Sequence, residues 1–212
     1  MALLQTVHLE HLPQSHAIHV ALYQDIKNAT FLQQQLLAGN TDFEYALIDA
    51  GVIVSKRHAF AAAYRAVNDL LESRLRSRNV HSEIVFSLSP NNNASESFRR
   101  FGITPSTTNL LIIKVTTPSS ALTASEIQSH LTSSIEGEQV PFEDSILQQL
   151  TDVPRVKKIY KLNSNGGGGK KNGQLNGTGG DGLSISRNGE ESERKELELL
   201  VLGAMALRGV TN

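Results

Sequence analysis

The chain has 212 residues, 39% of them apolar, and its 20 Lys and Arg against 21 Asp and Glu leave a formal net charge of -1; that balance excludes a wholly basic nucleic-acid binder but not a local basic patch. It has no cysteine, which removes disulfide frameworks, thiolate metal sites and Cys nucleophiles. No apolar run approaches the ~20 residues that span a bilayer, and Met1 to Glu10 has neither the basic nor the long apolar stretch of a signal peptide.

In chain order, residues 4–8 suggest a short strand, and the apolar run from His16 to Tyr23 a firmer one. A helix over 28–37 stops at Gly39-Asn40. Tyr45 to Ile48 reads as a strand ending at Asp49-Ala50-Gly51, followed by an extended link over Val52 to Val54. Ser55 caps a long helix over about 56–77, whose buried stripe is Phe60, Tyr64, Val67, Leu71 and Leu75. Its last turns hold Arg74, Arg76 and Arg78, which suit the negative end of the helix dipole. Glu83 to Ser89 alternates like a strand and is broken at Pro90. Asn93, with Glu96 three residues on, opens a short helix carrying Phe98 and Phe101 on one face, and Gly102 is its expected left-handed stop.

Asn109 to Val115 is a continuous apolar run, the pattern of a central strand covered on both faces. Thr123 and Glu126 form a capping box for a helix ending near Ser134. Residues 142–151 and 153–161 read as helices separated at Pro154. Nine of the 16 glycines then fall within 163–188; such a stretch resists packing because glycine loses most entropy on ordering. As a coil it spans roughly 28 Å. Glu190 to Arg208 is the last helix, apolar on nearly every side from Leu197 to Leu207, so it is either buried in the domain or covered by a partner. The expected class is α/β (α+β): a single domain over 1–212, with a mixed central sheet flanked by helices. The last helix packs back after the flexible insert over 163–188.

Chemistry is hard to find. His8, His11, His16 and His19 are spaced like helical metal ligands, but their segment reads as strand and loop, with Glu10 the single nearby carboxylate. No nucleophile-elbow or Walker pattern occurs. Gly166 to Gly169 followed by Lys170-Lys171 lacks the preceding strand and the following Ser or Thr of a phosphate loop. Asp49 reads as a turn residue bonding its own backbone rather than as a catalytic acid. Charge is uneven, however. Residues 55–100 hold eight Lys and Arg against four acids, whereas residues 1–54 hold one Lys against five. The middle segment is where an anionic partner would bind, and the helix start at Asn91 to Ser95 offers free N–H groups to a phosphate.

Several segments in order resemble one family. They are Ala46-Leu47-Ile48-Asp49, Arg76-Ser77-Arg78-Asn79 with Ser82-Glu83, and Leu88-Ser89-Pro90. Asn93-Ala94-Ser95 with Phe98, Phe101, Gly102 and Ile103 follows, then Lys158 to Leu162 and Ala206 to Val210. Together, over roughly 14–162 and 194–210, they resemble the Cgi/TPRKB family in a fungal form. That family is the PRPK-binding subunit of the KEOPS (EKC) complex. The insert departs from the shorter link usual in that family.

The resemblance implies a non-enzymatic subunit, without cofactor or metal, in nucleus and cytoplasm. It would bind and regulate the PRPK-type kinase/ATPase and meet the other KEOPS subunits indirectly. It would recruit tRNA by its single-stranded CCA tail for threonylcarbamoyladenosine formation next to the anticodon, with further ties to telomeres and transcription. No membrane contact is implied. A single-stranded tail needs backbone neutralisation and a pocket for unstacked bases. The residues expected to meet it are Arg76, Arg78, Asn93 and Ser95, supported by Arg99 and Arg100. Leu199, Leu202, Met205 and Ala206 are the kinase-facing candidates. Two alternatives stand beside this reading: a metal-dependent small-molecule enzyme on an α/β fold, with the histidines as ligands, and a protein-interaction module without RNA contact.

Overall fold

The computed structural model describes residues 3–120, 122–162 and 184–208. Five strands form one sheet: β1 (Gln5–Val7), β2 (Ile18–Gln24), β3 (Ala46–Asp49), β4 (Leu110–Val115) and β5 (Glu138–Val140), in the order β1-β2-β4-β3, with β5 also on β2. β1 and β5 share one edge of β2, pairing with its first and last residues respectively. The α+β class holds, but the sheet is not mixed, because all four strand pairings are antiparallel. β2 and β3 both run antiparallel to β4, which lies between them, so the helix Ala29–Ala38 crosses over β4 to join two strands of the same direction that are not neighbours, whereas the helices between β3 and β4 link antiparallel neighbours.

β2 and β4 are central and buried on both faces, as their largely apolar runs required, with His19 and Lys114 opposite each other as the exceptions. Ile18, Val20 and Leu22 of β2 join Leu111, Ile113 and Val115 of β4 in the larger core. Ala21 and Tyr23 join Leu110 and Ile112 in a second core on the opposite face. The second core is closed by α1 (Ala29–Ala38) through Leu32 and by α5 (Ala124–Ser134) through Ile127 and Leu131. Gly39 ends α1 in the left-handed conformation (φ 70°), as expected, and the Thr123–Glu126 capping box opens α5 as expected.

The larger core lies under α2 (Lys56–Leu71), α3 (Val80–Ser87), α4 (Ala94–Phe101), α6 (Asp144–Leu150), α7 (Val153–Ile159) and α8 (Ser184–Leu207). Three expectations fail here. First, Glu83 to Ser89 is not a strand but the body and end of α3. Asn79 caps this helix, accepting from the Ser82 N–H at 2.9 Å while Ser82 Oγ accepts from the Asn79 N–H at 3.0 Å. Every residue from Val80 to Ser87 except Ser82 is buried, so apolar alternation carries no information there.

Second, α2 stops at Leu71 rather than about 77. Ser73 turns left-handed (φ 53°), and the Arg74 N–H closes on the Asp69 carbonyl at 2.7 Å. Arg74, Arg76 and Arg78 therefore lie in the following loop. The buried stripe of α2 is Ala59, Ala62, Ala63, Ala66 and Val67; Phe60 and Tyr64 flank it, and Leu71 is exposed. Third, Gly102 is extended (φ -74°), not left-handed. Its need for glycine is close approach, since a Cβ would sit 2.6 Å from the Phe98 carbonyl oxygen. Residues 163–183 of the expected insert lie outside the described residues, and α8 begins at Ser184, earlier than Glu190.

Candidate nucleic-acid and kinase interfaces

The basic tract follows α2 as an irregular loop pinned from within. Glu83 is fully buried, and its Oε2 accepts from the Arg76 N–H (3.0 Å), the Ser77 N–H (2.8 Å) and the Ser77 hydroxyl (2.6 Å). One buried carboxylate thus shapes the loop that presents the arginines. Charge-assisted bonds of this kind are about twice as strong as neutral ones. Sequence reading placed Glu83 on a strand and missed this role.

Arg78 and Arg99 are brought together. Both line a cavity of about 540 Å³ between the end of α1, the turn after it, the start of α3 and one side of α4. Its apolar wall includes Leu36, Leu37, Leu47, Val85, Phe98 and Ile103. Phe98 is 39% exposed, whereas its expected partner Phe101 is fully buried. The Arg78 guanidinium lies within 2.8 Å of where a Cβ on Gly39 would stand, so the same glycine that ends α1 leaves room for this arginine. Arg99 is 75% exposed at its side chain, with Glu96 a loose 3.8 Å away. An apolar hollow with two guanidinium groups, and Glu44, in its wall is suited to a flat unstacked ring attached to a phosphate.

The other predicted residues go elsewhere. Arg100 pairs with Glu96 and donates to the Ile159 carbonyl at 3.2 Å, clamping α4 to α7. Asn93 caps α4, accepting from the Glu96 N–H at 3.1 Å, and lies with exposed Ser95 in a shallow surface depression. The Asn93–Glu96 capping box is half formed, because Glu96 receives Asn91 Nδ2 (2.8 Å) in addition to its arginines. Arg76 donates to Asn92 Oδ1 at 3.1 Å, linking the basic loop to the start of α4, but it lines a different cavity from Arg78.

On α8, Leu197, Val201 and Met205 recur every four residues and are buried against the larger core. Met205 is 5% exposed, so it supports the helix rather than meeting a partner. Leu202 packs partly against the same core. Leu199, about 200° round the helix from Leu197, is 66% exposed, and Ala206 shares that outer side; Leu200 and Leu207 are exposed at 47% and 54%. The helix is thus half core and half open apolar surface, which resolves the two readings of its all-round apolar sequence.

The remaining candidates take structural places. Asp49 Oδ1 accepts from the Gly51 N–H (2.9 Å), as a turn residue does, and Oδ2 accepts from Arg155 (2.7 Å), a partner not seen in the sequence. His19 hydrogen-bonds Thr6 at 2.9 Å and Thr116 at 3.3 Å across the sheet. Among the described residues no group of three or more His, Asp or Glu is placed to hold a metal ion.

A family model described as kinase binding protein CGI-121 matches residues 23–209. A curated relative from Aspergillus fumigatus, an EKC/KEOPS complex subunit cgi121, is 48% identical over 209 residues, covering 98% of both chains. Subunits of the same printed name from Aspergillus terreus (49% identical, 98% of each chain) and Coccidioides immitis (47% identical, the full length of both) are similar to the same extent. The chain belongs to the kinase-binding CGI-121 family.

Proposed function

We propose that this chain is a non-catalytic subunit of a KEOPS complex that binds and regulates the PRPK-type kinase through the outer face of α8 and holds the CCA end of tRNA for threonylcarbamoyladenosine formation. Nucleus and cytoplasm are its proposed locations, and telomeric and transcriptional roles would follow from membership of the same complex. The kinase part is supported by the family and by the open face of α8. The observation that carries the RNA part is the approach of Arg78 and Arg99 to one apolar cavity. The arginines would neutralise the tail phosphates, while Phe98 and the leucines of the wall take an unstacked base.

The kinase contact is tested by Leu199→Glu. Leu199 is exposed and Leu202 is not, so the first variant separates interface from core where the second would confuse them. Pull-down of the purified kinase is expected to fall by about tenfold or more, with an unchanged melting temperature. This corresponds to a hot-spot loss of ~2 kcal/mol. Undiminished capture would remove this face of α8 from the interface.

A further inference from the structure

Arg208, after the end of α8, is 1% exposed. Its Nη1 donates to the Phe86 carbonyl oxygen, and its guanidinium lies over the Phe86 ring, 4.1 Å from the centroid. Its Nε–H has no acceptor among the described residues. A buried donor of this kind is costly unless something satisfies it. Arg208 forms part of the wall of a cavity of about 450 Å³, which Arg65, Arg74 and Arg76 also line.

Four arginines therefore line one cavity, against two nearby carboxylates, Asp69 and Glu83. Asp69 lies in the same wall, 3.4 Å from Arg74. Glu83 stands near Arg208; its Oε2 is committed to the Arg76–Ser77 loop, and its buried Oε1 makes no hydrogen bond among the described residues, so it offsets part of this charge without pairing with a guanidinium. Burial lowers the Arg208 pKa to about 10, and Arg65 presses in the same direction, opposed by Glu83.

The groups are also braced. Arg65 donates to the Met205 carbonyl at 3.0 Å, Arg76 to Asn92 at 3.1 Å, and Asn92 Nδ2 to the Arg208 carbonyl at 3.4 Å. Each guanidinium has five N–H donors, so the bonds that Arg65 and Arg76 make hold those two side chains in place and leave other donors unused, while Arg74 is exposed and, among the described residues, held only by Asp69. Planar guanidinium forks gathered at one cavity match the oxygens of a phosphate.

We infer that this cavity is a phosphate-binding seat, separate from the apolar cavity at Arg78, in which Arg65, Arg74, Arg76 and Arg208 hold a phosphate group borne by an RNA strand or by a small polyphosphate. The seat stands independently of the RNA reading of the apolar cavity.

Titration calorimetry of the full chain with inorganic tripolyphosphate at low salt tests it. One saturable site is expected. Arg74→Gln and Arg65→Gln should each weaken it by about tenfold or more, since a hydrogen bond to a charged group is worth ~1.5–3 kcal/mol. Arg99→Gln, on the other cavity, should leave it unchanged. Arg74 is exposed, so its variant keeps the test valid if loss of the Arg65 tie to α8 impairs folding. No binding, or equal loss in the Arg99 variant, overturns the proposal. A second arm identifies the source of the phosphate. If Arg74→Gln also weakens a fluorescent single-stranded RNA, and tripolyphosphate competes with that RNA, the seat takes a strand phosphate. If RNA binding is unchanged while tripolyphosphate binding is lost, it takes a small polyphosphate.

Discussion

Acidification from pH 6.5 to 5 is expected to destabilise this protein steeply, before most carboxylates begin to titrate. Two buried histidines are the cause. His58 is fully buried; its Nδ1 accepts from the Val54 N–H at 3.3 Å, so its Nε2 carries the proton and donates to the Tyr160 oxygen at 2.9 Å. The Tyr160 hydroxyl in turn donates to the Leu88 carbonyl at 2.6 Å. Burial lowers the His58 pKa to about 3. His81 is 4% exposed, and its Nε2 accepts from the Val115 N–H at 3.0 Å. Burial first, and then Lys114, lower its pKa to about 3 as well.

Both rings must therefore stay neutral in the folded chain, while the unfolded chain protonates them near pH 6.5. Above that pH neither state takes up a proton, and the stability is fully present. Below it the unfolded state binds more protons, and stability falls by up to about 1.4 kcal/mol per pH unit for each histidine. His19, lowered by burial and then by His8, adds in the same direction. By pH 4.5 the two rings together withdraw about 5 kcal/mol, a large share of the ~5–15 kcal/mol that stabilises a typical domain. Urea unfolding at steps between pH 7 and 5 measures this directly. A slope approaching two protons supports the neutral pair, and a flat profile would contradict it.

Charge reversal at Arg78 and Arg99 is expected to have the largest effect on RNA. Each arginine that meets a strand phosphate contributes about 0.7 to the slope of log K against log salt. Arg78→Glu with Arg99→Glu should therefore weaken tRNA binding strongly at low salt and make that slope shallower by about 1.4. Phe98→Ala should act differently, losing the ~1–3 kcal/mol of one stacked base with no change in slope. Arg100→Gln should affect stability more than RNA, because that side chain ties α4 to α7 through the Ile159 carbonyl. Fluorescence anisotropy at several salt concentrations separates the three. An unchanged slope in the double variant would take both arginines out of the site.

Where the signal was local, the sequence was readable. β2 and β4 appear as apolar runs, Gly39 as a left-handed stop, and Thr123 with Glu126 as a reciprocal cap. Where burial was complete, it was not. In α3, His81, Glu83 and Ser87 are as buried as Ile84 and Phe86, so a helix covered all round imitates the alternation of a strand. The useful cue was Asn79 followed three residues later by Ser82. α2 was overextended because Leu71-Glu72-Ser73 contains no glycine, yet Ser73 adopts the left-handed turn.

The candidate site follows the same division. The basic tract was visible as composition, but which way each arginine turns was not. Arg78 goes to the apolar cavity, Arg74 and Arg76 to the other, and Arg100 to a clamp. The apolar cavity itself joins Leu36 to Phe98 and Ile103 across more than sixty residues of chain, a proximity no local pattern encodes. The two sides of α8 became distinct only when the core claimed Leu197, Val201 and Met205.

The central claim is that this family member grips the single-stranded end of tRNA as well as the kinase. An electrophoretic shift with one tRNA, intact or lacking its CCA end, tests it most directly. Binding that depends on the CCA end, and that is reduced by Arg78→Glu with Arg99→Glu in the intact tRNA, is the result expected here. Equal shifts for the two tRNAs, or none for either, would contradict it and leave a protein-interaction module without RNA contact.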